Sequence, residues 1–246
     1  MKLSKEEKER YSRQLPVLKE KGQEKVNDLK VLVSGVGGIG GTAAEYLVRL
    51  GIGEIRLLDP DTVELSNLNR QILYNKDDIG RNKVDVAFEK LKKVNPNVDI
   101  EPIPEKLRRD NLHEIFGDMD AFVDGLDNMQ ARYLANKECV KKDIPYFHAA
   151  CEGFESRLTT IIPNETPCLN CIYGGKIEIK EKEYEPTVGV VPGKIGIIEV
   201  EQLIKYFLDL KGLFKDKLVI FDEKNIKPRI IDLRKKKNCE VCGSID

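Results

Sequence analysis

No stretch of the 246-residue sequence approaches the roughly 20 apolar residues that span a bilayer, and the opening MKLSKEEKER has charges where a secretory signal needs an apolar core. A cytoplasmic location is expected. Neither sign of charge prevails: 41 basic against 42 acidic residues leave no overall field to attract nucleic acid or an anionic membrane, so neither is an expected partner. Histidine is scarce, with only His113 and His148, and a nicotinamide or flavin enzyme would have few imidazoles to work with. Internal repeats, low-complexity tracts and linkers long enough to separate domains are lacking as well. What remains, 41% hydrophobic and 34% charged, is the mixture of a globular chain. One domain over residues 1–246 is expected, with N-terminal helices within 1–28 and a C-terminal part over 168–246.

The pattern of elements is βα alternation. Ser4 and Glu7 form a capping box for a helix over 4–15. A short apolar strand at 30–34, a glycine turn at 35–41, a helix over 39–50 and a second strand at 54–58 follow. Helices over 82–94 and 128–142 and strands near 98–103, 121–123 and 146–149 continue the series. Parallel strands need crossover connections, and helices supply them, so the expected fold is an α/β, Rossmann-like doubly wound sheet. Beyond Phe154 the pattern turns to an extended strand in SRLTTIIP, a charged loop from Lys176 to Pro186, a helix over 195–210 and strands at 218–221 and 229–233. These last strands extend the same sheet, antiparallel to it.

Gly35-Val36-Gly37-Gly38-Ile39-Gly40 joins an apolar strand to a helix, the setting in which N–H groups at a helix N-terminus face a phosphate. Asp59, at the end of the next strand, is placed to accept from ribose hydroxyls. The motif alone does not name the nucleotide. A pyrophosphate carries about two charges and a triphosphate three to four, which calls for added cations. Asn67, Asn69, Arg70 and Gln71 follow the ribose-binding strand directly and Lys83 opens the next helix, a cluster that suits ATP better than NAD. His113 reads as a residue of a surface helix and His148 as a hydrogen-bonded packing residue.

Six cysteines in a reducing compartment should be thiols or metal ligands. Cys168-x-x-Cys171 and Cys239-x-x-Cys242 supply four thiolates, a tetracysteine zinc site of the closed, structural kind. Cys139 and Cys151 read as small buried residues.

Taken together, R-Y-S-R-Q at 10–14, G-V-G-G-I-G-G at 35–41, D-P-D-T-V-E-L-S-N-L-N-R-Q at 59–71, G-R-N-K at 80–83, D-G-L-D-N at 124–128 and the two C-x-x-C pairs resemble the ThiF/MoeB/HesA family. These are adenylating enzymes related to the ubiquitin-activating enzyme. The resemblance runs from about residue 9 to 243. It implies an ATP-dependent adenylyltransferase acting on the C-terminal glycine of a ubiquitin-like sulfur carrier of MoaD/ThiS type, with Mg²⁺ and Zn²⁺, in a homodimer. By position it implies that Asp59 and Asp61 bind the nucleotide with Gly35, Gly37, Gly38 and Gly40. Gly38 would sit beside the α-phosphate, Arg70 and Lys83 would hold phosphates, and Asn67 would assist. Arg13 would reach the triphosphate of the other subunit, and Asp127 would coordinate magnesium. Two plainer readings stay open: a surface charge for Arg13 and a helix N-cap for Asp127.

Some family members carry the activated substrate on a cysteine between the two C-x-x-C pairs. Between Cys171 and Cys239 this sequence contains none, and no rhodanese-like extension is present, so the reaction is expected to stop at the acyl-adenylate. In relatives the segment matching about 176–192 crosses the active site; here an active-site lid and a surface loop remain open alternatives. A helix face near Ile197, Val200 and Ile204 suits a subunit interface. Rival functions are an NAD- or FAD-dependent oxidoreductase and a non-catalytic scaffold that binds a ubiquitin-like protein.

Overall fold

The computed structural model describes residues 2–175, 186–225 and 227–243. A single eight-stranded sheet runs through it in the order β3-β2-β1-β4-β5-β6-β7-β8. Strands β1 (Lys30–Ser34), β2 (Glu54–Leu58), β3 (Asp99–Ile103), β4 (Ala121–Asp124) and β5 (Tyr146–Glu152) are mutually parallel. Strands β6 (Glu155–Ile161), β7 (Lys217–Asp222) and β8 (Lys227–Asp232) join antiparallel. The expected doubly wound sheet with an antiparallel C-terminal extension is borne out. Strand order reverses between β1 and β4, and the crevice at their carboxyl ends is where such sheets take ligands.

Alternation along β1 fills both faces. Val31 and Val33 join one core with helices α3 (Gly38–Leu50), α4 (Lys83–Val94) and α8 (Val190–Phe207), while Leu32 joins another with α5 (Leu112–Phe116), α6 (Met129–Lys142) and α7 (Leu169–Tyr173). A strand covered on both sides reads as a continuous apolar run, which is what KVLVS is. In the second core Phe122 is fully buried, stacked on Phe116 (5.4 Å between centroids) and edge-on to Tyr146 (4.7 Å).

Helices α1 (Lys5–Arg10) and α2 (Leu15–Asn27) precede the sheet, where one helix over 4–15 was expected. The Ser4/Glu7 capping box is present, but the chain turns after Arg10 because Tyr11 is buried, its hydroxyl accepting from Asn95 Nδ2 at 3.1 Å. The short helix α7 escapes sequence reading because it is a turn or so long, whereas α5 is the surface helix on which His113 was expected. Helix α8 starts at Val190, five residues before the expected Ile195, with Pro192 in its first turn where its missing N–H costs nothing. Most of the charged segment expected as a loop, 176–185, lies outside the described residues. Among those described, no helix is long and apolar enough to cross a membrane.

The interface expected on α8 needs correction. Val200 is buried and Ile204 packs on the same core, so of the three residues only Ile197 is exposed. Their apolar face is spent on the chain's own sheet. Replacing Phe122 by Ala should lower unfolding free energy by about 3–5 kcal/mol, since the stacked rings leave little room for collapse. Equilibrium urea unfolding measures it, and a loss below 1 kcal/mol would show that the site is not tightly packed.

Candidate functional site

The turn after β1 and the turn after β4 cross at the switch point. Gly35 has φ +85°, and a Cβ there would meet the Gly125 carbonyl oxygen at 2.3 Å. A Cβ on Gly40 would lie 1.9 Å from the Gly35 carbonyl oxygen, so strand, turn and helix close on one another only without side chains. Gly37 occupies the N-cap of α3 and offers no capping side chain, which leaves the first-turn N–H groups for an anion. Gly38 faces Pro192, and Gly37 faces the Gln71 amide. The Gln71 Oε1 is buried without a hydrogen-bond partner among the described residues, an acceptor suited to a ligand hydroxyl beside the turn.

Asp59 is 5% exposed; its Oδ2 accepts from Val36 N–H at 2.8 Å and its Oδ1 from Asp61 N–H at 2.9 Å. Burial raises its pKa above the ordinary carboxylate value, with the Lys83 charge and the two N–H groups pulling the other way. Lys83, first residue of α4 and itself buried, donates to Asp61 Oδ2 at 2.9 Å and lies 4.0 Å from Asp59 Oδ1. Tyr74 ties the two elements together, its hydroxyl donating to the Val36 carbonyl at 2.8 Å with the Lys83 carbonyl at 3.3 Å. Pro60, Asp61, Thr62, Glu64, Asn67 and Lys83 line a cavity of about 360 Å³. Lys83 is thus a cation held in reserve between two carboxylates at the cavity wall.

Other expected residues are less ready. Asn67 is buried, and its Oδ1 accepts from Glu64 N–H at 3.1 Å, closing the short 3-10 turn Leu65–Asn67. Arg70 folds back on the same loop, Nη1 donating to the Ser66 carbonyl at 2.8 Å and Asn69 Oδ1 at 2.9 Å, although its backbone carbonyl adjoins Gly38. Arg13 is exposed and makes no hydrogen bond or ion pair among the described residues. Its neighbour Tyr11 packs on Gly51 at the far end of α3, roughly 18 Å of helix from the glycine turn, too far for Arg13 to reach its own site. Asp127 is exposed. Its Oδ1 accepts from Asn128 Nδ2 at 3.1 Å, but the N-cap of α6 is Asn128, whose Oδ1 accepts from Ala131 N–H at 2.9 Å. The N-cap alternative for Asp127 is therefore corrected.

Beneath this turn lies a polar network that sequence reading missed. Asp124 is fully buried; its Oδ2 accepts from Tyr146 OH at 2.7 Å, His148 Nδ1 at 2.7 Å and Arg132 Nε at 3.1 Å. Burial works to raise the Asp124 pKa, yet Arg132 and then His148 outweigh it and hold the carboxyl below its ordinary value. Burial lowers the His148 pKa, so the imidazole is neutral. Glu199 of α8 is buried too, its Oε1 accepting from Asp124 N–H at 2.8 Å, and burial together with Asp124 pushes its pKa well up. Asp124 stands in the D-G-L-D-N block, but only a partner eight residues on, Arg132, reveals its use. His148 has the packing role expected of it, and His113 lies exposed on α5.

The four cysteines converge, all sulfurs lying within 4.8 Å of one another. Cys168 and Cys239 are 3.6 Å apart, Cys171 and Cys242 3.5 Å, close to the edge of a tetrahedron with about 2.3 Å metal–sulfur bonds. Burial works to raise the Cys239 thiol, but backbone N–H groups of Cys242 and Val241 prevail and bring it down to about 7. Such a donor set fits zinc. Cys139 is buried in α6, where burial pushes its thiol well up, whereas Cys151 is only half-buried, with the Thr187 hydroxyl 3.7 Å from its sulfur. Residues 186–189 pass between Gly153, which donates to the Pro186 carbonyl at 2.6 Å, and Asn69, whose carbonyl abuts Gly189.

The model of the ThiF family matches residues 11–241. The chain belongs to the ThiF family. A SAMP-activating enzyme E1 of Haloferax volcanii is 33% identical over 241 residues, covering 96% of this chain and 88% of the relative. The sulfur carrier protein adenylyltransferase of Thermus thermophilus is 32% identical, covering 99% of this chain and 93% of the relative. Among solved structures, E. coli MccB with MccA-N7isoASN superposes with a TM-score of 0.87 at 26% identity, over 98% of this chain and 76% of that one. MccB with ATP gives 0.85 at 27% identity, over 96% and 75%. The family resemblance read from the motifs is borne out, as is the expectation of an adenylating enzyme of this family.

Two outcomes are expected. Chelation that strips metal from the cluster should lower the thermal midpoint, because the clamp ties residues 168–171 to 239–242; an unchanged midpoint in demonstrably metal-free protein would refute a structural role. For His148, the unfolded state takes up a proton below about 6.5 while the folded imidazole resists, so this residue's contribution to stability falls as pH drops below that value. Urea unfolding between pH 7.5 and 5.5 should show the slope in wild type and its reduction in His148→Gln. Identical slopes would mean that His148 takes up its proton equally in the folded and unfolded states.

Proposed function

We propose that this chain uses ATP to adenylate the C-terminal glycine of a ubiquitin-like sulfur-carrier protein of MoaD/ThiS type with a Gly-Gly end. The carboxylate attacks the α-phosphorus in line, the bond to the β-phosphate breaks, and acyl-adenylate and pyrophosphate result. A carboxylate is a nucleophile at neutral pH, so no general base is needed and two histidines suffice for the chain. The names of the relatives support the carrier as substrate, and the MccB structure with ATP supports the nucleotide.

The observation that carries this reading is Lys83, buried between Asp59 and Asp61 at the mouth of the glycine turn. An anion arriving there exchanges one ion pair for another, and the cost of burying the lysine has been met in the folded state. Asp59 would accept from the ribose, Asp61 would yield Lys83 to the phosphates, and the α3 N–H groups at Gly37, Gly38 and Gly40, with Gly35 shaping the turn, would face the α-phosphate. Arg70 would swing from Ser66 to the triphosphate, with Asn67 holding the loop that carries it. Asp127, free of capping duty, would take Mg²⁺, the ion that shields phosphate charge. Arg13 would complete the site of the second subunit in a homodimer, since it stands too far from its own. Positioning and charge neutralisation are all that such phosphoryl chemistry asks of a protein. The four cysteines would hold structural zinc. With no cysteine between Cys171 and Cys239, the product stays an adenylate and another enzyme supplies sulfur.

Incubation with ATP, Mg²⁺ and candidate carriers should give acyl-adenylate by mass, with no adduct that reducing agents release. Arg70→Ala, Lys83→Ala and Asp127→Ala should each cut carrier-dependent ATP–pyrophosphate exchange by at least about 100-fold while thermal unfolding stays cooperative. Exchange at wild-type rates in Asp127→Ala would remove the metal assignment. Failure of every carrier to elicit exchange would remove the function.

A further inference from the structure

Leu126, next to Asp127, has both backbone polar groups held by one buried ion pair. Its N–H donates to Asp124 Oδ1 at 3.0 Å, and its carbonyl accepts from Arg132 Nη2. Asp124 is held from its other side by His148, whose Nε2 lies 3.1 Å from Tyr173 OH. Donor directions are fixed along this chain. Ionised Asp124 can only accept, so neutral His148 donates through Nδ1 and accepts at Nε2 from the tyrosine hydroxyl. Tyr173 closes α7, two residues after Cys171. Helix α7 is also tied to α6, where Asn136 Oδ1 accepts from Leu169 N–H at 2.9 Å and Nδ2 donates to Asn170 Oδ1 at 3.1 Å. Helix α6 itself starts just past Asp127. The turn that carries Asp127 is therefore joined by a run of hydrogen bonds to Tyr173, and through two residues of chain to Cys171 of the four-cysteine cluster.

We propose that Tyr173 and His148 are positioning residues of the adenylation site, passing the state of the cysteine clamp through Asp124 and Arg132 to the Asp127 turn. The proposal rests on the role given to Asp127 above. Loss of metal loosens α7 and with it the tyrosine hydroxyl. His148, left with an unpaired buried nitrogen, no longer fixes the Asp124 carboxylate, whose grip on Leu126 N–H weakens. A full clamp thus means an ordered Asp127, and an empty one a turn that holds Mg²⁺ poorly. Asp124 and His148 are fully buried, and their effect runs through orientation.

Tyr173→Phe removes one hydroxyl and tests this in the full-length, metal-loaded protein. Metal content is expected to stay unchanged and Leu126 amide hydrogen exchange to rise about tenfold, while exchange at Val31 to Val33 of β1 does not move. The Mg²⁺ concentration giving half-maximal ATP–pyrophosphate exchange should rise, with the carrier KM unaltered. Chelation of wild type should raise Leu126 exchange in the same way, and chelation of Tyr173→Phe should add little, because both act on one path. His148→Gln offers a second break in the chain and the same expectation. Unchanged Leu126 exchange in both variants overturns the proposal, as does faster exchange with an unaltered Mg²⁺ dependence. The amide measurement needs no turnover, so it judges the path even if wild type activates no carrier, an outcome that would count against the function itself.

Discussion

Everything at the carboxyl edge of this sheet depends on two backbone turns crossing at van der Waals distance. The turn after β1 and the turn after β4 meet where Gly35 lies against the Gly125 carbonyl, and Gly40 closes the same contact from the helix side. A single methyl group at either position would drive α3 away from β1 and open the crevice. Because the turns touch, the first-turn N–H groups of α3 and the acidic turn before α6 share one frame. Helix α8 adds a third member, with Pro192 over Gly38 and Glu199 bonded to the Asp124 backbone.

Charge in this frame is arranged in pairs ahead of any ligand. Lys83 rests between two carboxylates, Arg70 on its own loop's carbonyl, and Arg132 on Asp124. The first two face a cavity or the rim. The third is sealed, with Asp124 fully buried and its remaining acceptor capacity filled by Tyr146, His148 and Leu126. A buried ion pair of this sort does little for stability relative to apolar packing, but losing one partner is severe. Its retention fits a role in fixing the geometry of the turn above it.

Much of this was readable from residue order alone. Strand and helix positions followed from apolar runs and period, and the glycine turn with Asp59 followed from spacing. The two C-x-x-C pairs foretold their cluster because thiolates at that spacing have few other uses. Other features were hidden for physical reasons. Asp124, His148 and Tyr173 are far apart in sequence and meet only through strand register and the packing of α7, so no local pattern announces them. The early start of α8 was masked by Gly189 and Pro192, residues that read as loop yet suit a helix's first turn. Arg70 was legible as a cation but not in its resting pose, which depends on Ser66 in a 3-10 turn and on Asn69 just beyond it. Val200 and Ile204 looked like a free face because period shows that a stripe is apolar, not what covers it.

The cysteine cluster also bears on how the molecule is made. Its first pair lies at 168–171 and its second at 239–242, so a bound ion would find its full set of ligands only once residue 242 had been synthesised. The parallel strands β1 to β5 and the helices between them are complete well before then. Phe122, Leu47 and their neighbours are thus present to pack before all four thiols exist. Metal capture at this cluster would accordingly come late, as a latch on a body largely in place.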